Sequence, residues 1–325
     1  MTRPVCLVTG ATGALGPGIV ATLRAGYDIR TLSRRPPRPG LFASDVTALT
    51  GDVSDLEQVR RAARGSDVIV HLAALLHIND PSPDRRCDYE RVNVGGTAAV
   101  LEAARSESVP RVVLMSTIAV YGHAGGRVLD ETSAPRPHTL YAETKLAAER
   151  LALAAERPDG RSLATVLRLG AVYGARMKGN YERLVHALAK GWFVPVGRGQ
   201  NRRTLVFDED VAAAVSVAAV HPNAPGRIYN VTDGGFHSMR NIIDAISAAL
   251  GRRAPRWHVP VPPVRGVLAL GGLIDRRLPR RLDTYLEDIA VRGDRIGQDL
   301  GFRPRVNLAD GWGRTIADMR RAGLL

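Results

Sequence analysis

Short apolar runs along the chain alternate with segments in which apolar residues recur every three or four positions. Cys6–Val8, Asp28–Leu32, Val68–Leu72 and Val112–Met115 read as strands, and "ATVLRL" at Ala164–Leu169 reads as a further strand of the series. Between them, Gly16–Arg24, Leu56–Ala63 and Asn93–Arg105 read as amphipathic helices. Ser54 stands before the second helix with Glu57 three residues on, the pattern of a capping box. Strand–helix–strand alternation predicts right-handed crossovers and therefore an α/β fold, a Rossmann-type doubly wound parallel sheet.

Beyond about Val172, Gly and Pro break this rhythm. A helix is expected over Tyr181–Lys190, "IYNVTDG" reads as a short strand, and "MRNIIDAISAALG" reads as a helix that Gly251 caps. The expected organisation is a dinucleotide-binding domain at 1–172 and a smaller mixed α/β substrate lobe at 173–325, with part of 204–250 returning to the first domain. Val264–Arg281, "VRGVLALGGLIDRRLPRR", is apolar and then basic. Such a stretch can lie on an anionic membrane surface, but Pro279 interrupts it and it is short, so a helix packed into the small lobe is expected.

Composition narrows the picture only a little. The 325 residues are 45% hydrophobic and 24% charged, an ordinary globular balance. No run approaches the ~20 apolar residues of a membrane span. The chain enters its first strand too early to leave room for a secretion signal. Cys6 and Cys87 give no disulfide framework, and Cys6 falls inside the first strand as a small core residue. These features point to a cytoplasmic protein without stable membrane insertion. The net charge of +13 would suit nucleic acid, membrane or a phosphorylated ligand. Lysine, however, occurs only at Lys145, Lys178 and Lys190, and the arginines are scattered with no nucleic-acid motif beside them. The skew is read as GC-rich codon usage; no nucleic-acid partner and no metal site are expected.

The candidate chemistry begins at "TGATGALG", Thr9–Gly16, between the first strand and the first helix. Gly10 permits the tight turn, Gly13 lets backbone approach a pyrophosphate, and Gly16 lets helix pack on strand. The helix N-terminus then offers free N–H groups to phosphate. Thr12, Ala14 and Leu15 complete this cofactor loop. The second strand ends in Ser33, Arg34 and Arg35, where an Asp or Glu would hold the ribose hydroxyls of NAD. A hydroxyl and two guanidiniums suit a 2′-phosphate, so NADP(H) is favoured and NAD(H) is the alternative.

"YAETK" puts Tyr141 and Lys145 at i and i+4, on one helix face. An ammonium beside a phenol is expected to lower its pKa and make it a proton exchanger for an alcohol or carbonyl. Ser116 and Thr117 follow the strand Val112–Met115 at the carboxyl edge of the sheet, where ligands bind; a hydroxyl there can bond the same substrate oxygen.

With these pieces in order, the chain resembles an extended short-chain dehydrogenase/reductase of the NAD-dependent epimerase/dehydratase family. The matching stretches are TGATGALG, "GDVSD" at 51–55, "HLAA" at 71–74, "VNVGGT" at 92–97, "STIAVYG" at 116–122, "YAETK" and "LRLGAVYG" at 167–174. The resemblance implies Tyr141 as proton donor and acceptor, Lys145 as ribose binder, and Thr117 as the third catalytic residue. It implies Asp52 and Val53 beside the adenine, Ala73 and Ala74 along the cofactor channel, and Asn93 as a buttress of the active-site helix. In the small lobe it places Asn180 and Arg203 on the diphosphate of a nucleotide sugar, UDP-linked in the most similar branch, that of 4-keto sugar reductases of surface-polysaccharide pathways. A homodimer through two helices of the large domain is also implied. In the dehydratase branch of the family, the acid and base that sugar 4,6-dehydration requires stand directly after the Thr; here those positions are Ile118 and Ala119, so a dehydratase is not expected. The implied activity is NAD(P)H-dependent reduction of a 4-keto nucleotide sugar, with a 4-epimerase that retains its cofactor as the alternative. A hydroxysteroid or dihydroflavonol type of ketoreductase and a silent NADP-binding protein are more distant.

Overall fold

β1 (Val5–Thr9) is buried at every position after its first, as a strand in the middle of a covered parallel sheet must be. The computed structural model describes residues 3–76, 85–271 and 277–325. After β1 come α1 (Gly16–Leu23), β2 (Asp28–Ser33), β3 (Thr47–Thr50), α2 (Leu56–Ala63), β4 (Val68–His71) and α3 (Arg86–Tyr89). A π-helical turn (Glu90–Gly95) leads into α4 (Gly96–Ser106), β5 (Val112–Thr117), a 3-10 turn (Ile118–Tyr121), β6 (Val128–Leu129), α5 (Leu140–Ala154) and β7 (Ala164–Leu169). The second half contains β8 (Ala171–Tyr173), α6 (Asn180–Lys190), β9 (Arg202–Arg203), β10 (Leu205–Phe207), α7 (Asp208–Val220), β11 (Ile228–Val231), β12 (His237–Ser238) and α8 (Met239–Leu250). It ends with α9 (Val261–Gly271), α10 (Arg277–Leu286), β13 (Ala290–Val291), α11 (Asp294–Leu300) and α12 (Leu308–Arg321).

Seven strands form the main sheet in the order β11–β7–β5–β4–β1–β2–β3, every pair parallel. The direction of winding reverses between β1 and β4, and the crevice outside their carboxyl ends is where such a sheet takes a dinucleotide. One face of the sheet packs Val8, Val70, Val113 and Leu167 against α1 and α7. The other packs Leu7, Ile69, Leu114 and Val166 against α2, α4 and α5. α7, β11 and α11 all belong to this large lobe, so the chain after 173 crosses back to it twice, the second time beyond the stretch expected from sequence. The small lobe has its own core of α6, α8 and α12 around Tyr173, Val185, Ile242, Ile246 and the fully buried Trp312.

Four local readings need correction. β3 went unseen because its sequence, TALT, is mostly exposed and carries no buried face to betray it. The cap of α2 is Asp55, whose carboxylate accepts from the Gln58 N–H at 3.1 Å; Ser54 instead donates its hydroxyl to Asp52 at 2.8 Å. The helix expected to begin at Asn93 starts earlier, at Arg86, and passes through the π turn, where the Asn93 side chain bonds Leu75 and Thr144. Finally, the helix expected to pack into the small lobe is α9, and none of its described residues from 261 to 269 is buried. The expected stretch also runs through 272–276, which lie outside the described residues; Pro279 falls in the first turn of α10.

Candidate active site

The cofactor loop follows from two glycines. Gly10 sits at φ +70°, and a Cβ there would come 2.6 Å from the Ala73 backbone, so β1 and the segment after β4 approach as closely as they do only with glycine. At Gly16 a Cβ would lie 1.9 Å from the Ala11 carbonyl oxygen, which fixes how tightly α1 starts against the turn. Thr12 and Gly13 are exposed on the outer side of this turn, with Ala14 and Leu15 half-buried.

At the tip of β2, Ser33 is buried and its hydroxyl has no partner among the described residues. Arg34 and Arg35 next to it are exposed and make no ion pair or hydrogen bond there. One orphan hydroxyl and two uncommitted guanidiniums fit the phosphate-bearing ribose of a dinucleotide. Asp52 is differently placed: its carboxylate accepts from the Ser54 N–H and hydroxyl and pairs with Arg91 at 3.5 Å. Burial opposes its ionisation, but these bonds outweigh it and hold the carboxyl below its usual range. The Val53 side chain is in the core against Gly96 rather than in the crevice. Ala73 and Ala74 are half-buried after β4, and the Ala73 backbone faces Gly10 of the glycine turn.

A chain of hydrogen bonds joins this corner to the reacting one. The Ala73 N–H donates to Thr9 Oγ1 at 3.4 Å, Thr9 Oγ1 lies 2.7 Å from His71 Nδ1, and His71 Nε2 lies 3.2 Å from Thr97 Oγ1. Thr97 donates onward to the Asn93 carbonyl at 2.7 Å. That leaves Thr97 to accept from Nε2–H and His71 Nδ1 to accept from Thr9, which defines a neutral imidazole. Burial, with Lys145 adding to it, pushes His71 down to about 3. Asn93 then clamps Leu75 through 2.7 and 3.2 Å bonds and Thr144 of α5 through a 3.1 Å bond. These bonds tie α5 to the segment after β4.

α5 begins at Thr139, whose hydroxyl accepts from the Ala142 N–H, and it lies against both β5 and the 3-10 turn. Tyr141, Lys145 and Glu149 follow at successive turns of its inner side. The Glu149 carboxylate accepts two hydrogen bonds from the buried Arg168 guanidinium of β7, at 3.0 and 2.6 Å, and one from the Ser116 hydroxyl as well. Arg168 also sits 4.7 Å over the Tyr121 ring, and the Tyr121 hydroxyl donates to Asn230 at 2.8 Å. Ser116 was expected to touch substrate; its hydroxyl is buried on the α5 side and committed to Glu149. Thr117 is half-buried, and its Oγ1 accepts from the Ala119 N–H at 3.2 Å, which leaves its own proton to give.

The expected lowering of the Tyr141 pKa by Lys145 is not what the structure gives. Burial, and then the neighbouring Tyr89, push the phenol up to about 12. Burial brings the Lys145 ammonium down to about 8, against the pull of Glu149. Lys145 makes no hydrogen bond among the described residues, so its N–H groups fit a ribose hydroxyl. Glu149, Arg168 and His71 were all missed from sequence. The signals were there: Lys145 and Glu149 share one helix face, and Arg168 is a lone charge in a wholly buried strand.

In the small lobe, Asn180 is exposed at the first turn of α6 and makes no hydrogen bond among the described residues. Arg203 is buried. It donates to the carbonyls of Thr284 and, at 2.9 Å, Tyr285, while its Nε has no partner. It lies within electrostatic reach of Tyr181, next to Asn180.

A doubly wound sheet, a glycine turn at its switch point and a Thr–Tyr–Lys constellation on β5 and α5 define a nicotinamide-dependent enzyme of the extended short-chain dehydrogenase/reductase class. The NAD dependent epimerase/dehydratase family matches residues 6–232, and the chain belongs to that family. Among its relatives is the N-acetyl-alpha-D-glucosaminyl-diphospho-ditrans,octacis-undecaprenol 4-epimerase of Escherichia coli O157:H7, 30% identical over 79% of this chain and 75% of that one. Solved structures with the same fold include MoeE5 in complex with UDP-glucuronic acid and NAD, 28% identical, with a TM-score of 0.77 over 98% of this chain and 99% of the other. DesIV, a dTDP-glucose 4,6-dehydratase from Streptomyces venezuelae with NAD bound, is 27% identical, with a TM-score of 0.78 over 98% of this chain and 97% of the other. No helix among the described residues is long and apolar enough to cross a membrane.

Proposed function

We propose that the protein reduces a 4-keto nucleotide sugar at carbon 4, with NADPH as reductant and a UDP-linked hexosamine or deoxyhexose as substrate. The observation that carries this reading is the assembly of Thr117, Tyr141 and Lys145 at the carboxyl end of β5 and the start of α5. NADPH supplies the hydride when bound. Tyr141 gives its phenolic proton to the sugar oxygen as the alkoxide forms; a phenol held up to about 12 is wholly in the donor form at neutral pH. Thr117 gives a hydrogen bond to the same oxygen, and Lys145 holds the nicotinamide ribose. Ser33, Arg34 and Arg35 favour the 2′-phosphate of NADP, whereas the solved relatives named above carry NAD. Asn180 and Arg203 are the candidates for the diphosphate of the sugar nucleotide; MoeE5, a solved structure with the same fold, carries UDP-glucuronic acid.

A 4-epimerase is the second reading, favoured by the name of the Escherichia coli relative. In that case the retained oxidised cofactor would accept the carbon-4 hydride and give it back to the other face, while Tyr141 would take and return the proton of the carbon-4 oxygen, with no net use of cofactor. Dehydration is disfavoured, because the buried Ile118 and the methyl group of Ala119 cannot move protons.

Tyr141→Phe tests the reading. Turnover should fall by a factor on the order of 10²–10⁴, while cofactor affinity, read by nicotinamide fluorescence, stays unchanged. Lys145→Met should lose both. Near-normal turnover in Tyr141→Phe would place the proton transfer elsewhere.

A further inference from the structure

Two of the three tryptophans are on the surface, with Trp192 at 79% and Trp257 at 67% exposure, whereas Trp312 is wholly buried. They lie on neighbouring segments. Val196 pairs with Val259 in a parallel bridge, the Val259 N–H donates to Pro195, and the Gly197 N–H donates to Val259, both at 2.9 Å. In that register Val194 runs beside Trp257. Extended backbone alternates sides, so Phe193 and Pro195 face inward, with Phe193 6.3 Å from the Tyr285 ring, while Trp192 and Val194 face out. The second segment runs directly into α9, whose Val267 is 69% exposed.

The two segments that carry this apolar patch bear charge of one sign, and the acidic Asp244 and Asp283 beside them are paired with Arg240 and Arg265. No Asp or Glu occurs between Glu182 and Asp208, or between Asp244 and Asp275. Those two stretches carry Lys190, Arg252, Arg253 and Arg256, all exposed and none in an ion pair among the described residues. Lys190 lies 5.6 Å over the Trp192 ring, and the Arg252 guanidinium comes within 3.5 Å of the position of a Cβ on Gly191, beside Trp192. Exposed tryptophan and valine within a rim of unpaired cations match the headgroup layer of an anionic bilayer, where the ring is at the boundary and the cations meet phosphate.

We infer that this face of the small lobe docks on an anionic lipid bilayer. A nucleic acid would engage the arginines and the rings but would gain nothing from Val194 and Val267. The partner that uses both halves of the patch is a surface with phosphate outside and hydrocarbon beneath. The contact is peripheral, made by side chains and one face of α9. It puts the lobe assigned to the sugar substrate at the membrane, whichever hydride-transfer reaction the site performs.

The test is co-sedimentation of the full chain with vesicles. The native protein should pellet with an equimolar mixture of phosphatidylglycerol and phosphatidylcholine, less at high salt, and far less with phosphatidylcholine alone. Its tryptophan emission should shift to shorter wavelength on those vesicles. The Trp192→Ala/Trp257→Ala double variant should neither pellet nor shift, although Trp312 still emits. Replacing Arg252, Arg253 and Arg256 by Gln should weaken partitioning about fivefold per charge removed. All five side chains are exposed, and unchanged thermal melting shows that the variants fold. The inference is overturned if the native protein does not pellet with the mixed vesicles, or if the tryptophan variant pellets as well as the native protein. It is also overturned if the same substitutions abolish RNA binding or self-association while leaving vesicle binding intact.

Discussion

The β5–α5 corner and the small-lobe surroundings of Arg203 both carry polar groups, but they use them in opposite ways. At β5–α5, Ser116, Glu149, Arg168, Tyr121 and Asn230 form one connected network. From the other side, Thr9, His71, Thr97 and Asn93 form a second that ends on α5. Tyr141 and Lys145 are thus carried on a helix fixed from two directions, so the reacting groups are preorganised before substrate arrives. Around Arg203 the groups are less committed. One end of the guanidinium holds the end of α10, its Nε has no partner, and Asn180 is free at the surface. On the proposed assignment, the reacting groups are fixed in advance and the groups for the substrate are left to be completed by the ligand.

The largest effect expected from this contrast is at the buried ion pair. Glu149→Gln leaves the Arg168 charge inside the protein without its counterion and should cost about 3–5 kcal/mol of stability, read as a lower urea midpoint. Replacing both by Met should recover most of that loss. A loss below about 1 kcal/mol in the single variant, the range of an exposed pair, would show that the network does not fix α5.

A smaller effect is the pH dependence that His71 brings. Its usual value of 6.5 is lowered to about 3 in the folded protein, so the unfolded chain takes up a proton that the folded one refuses. The unfolded state binds more protons across that window, and stability must fall as pH drops from about 6.5 toward 3. His71→Asn should flatten this part of the stability–pH curve relative to the native protein. Parallel curves would mean that His71 titrates normally.

At the small lobe, Arg203→Ala should weaken UDP binding by about 1.5–3 kcal/mol, the worth of a hydrogen bond to a charged group. If calorimetry shows unchanged UDP affinity and only a lower melting temperature, Arg203 serves α10 alone.

The same contrast explains what could be read from the chain. The large lobe announces itself because its strands are short apolar runs and its ligand loop needs glycine at fixed places; Gly10 and Gly16 have no room for a side chain. Thr117, Tyr141 and Lys145 stand out as well, since proton chemistry allows few residue types at that spacing. What stayed hidden depends on tertiary partners. Ser116 looks like Thr117 in sequence, and only the position of Glu149, far along the chain, turns it away from the substrate. The direction of the Tyr141 shift was misjudged because burial, absent from a helical-wheel argument, outweighs the neighbouring ammonium. α9 was expected to be buried on the strength of its apolar residues, and no sequence pattern says which apolar face a fold leaves uncovered.

The measurement that bears most directly on the proposed reaction is cofactor stoichiometry. Supplied with a UDP-4-keto-6-deoxy-N-acetylhexosamine, the native protein should oxidise one NADPH per sugar reduced and should use NADPH better than NADH. Replacing Arg34 and Arg35 by Ala should erase that preference without harming NADH turnover. Interconversion of UDP-hexoses with no net loss of NADPH would contradict the reductase reading and establish the epimerase in its place.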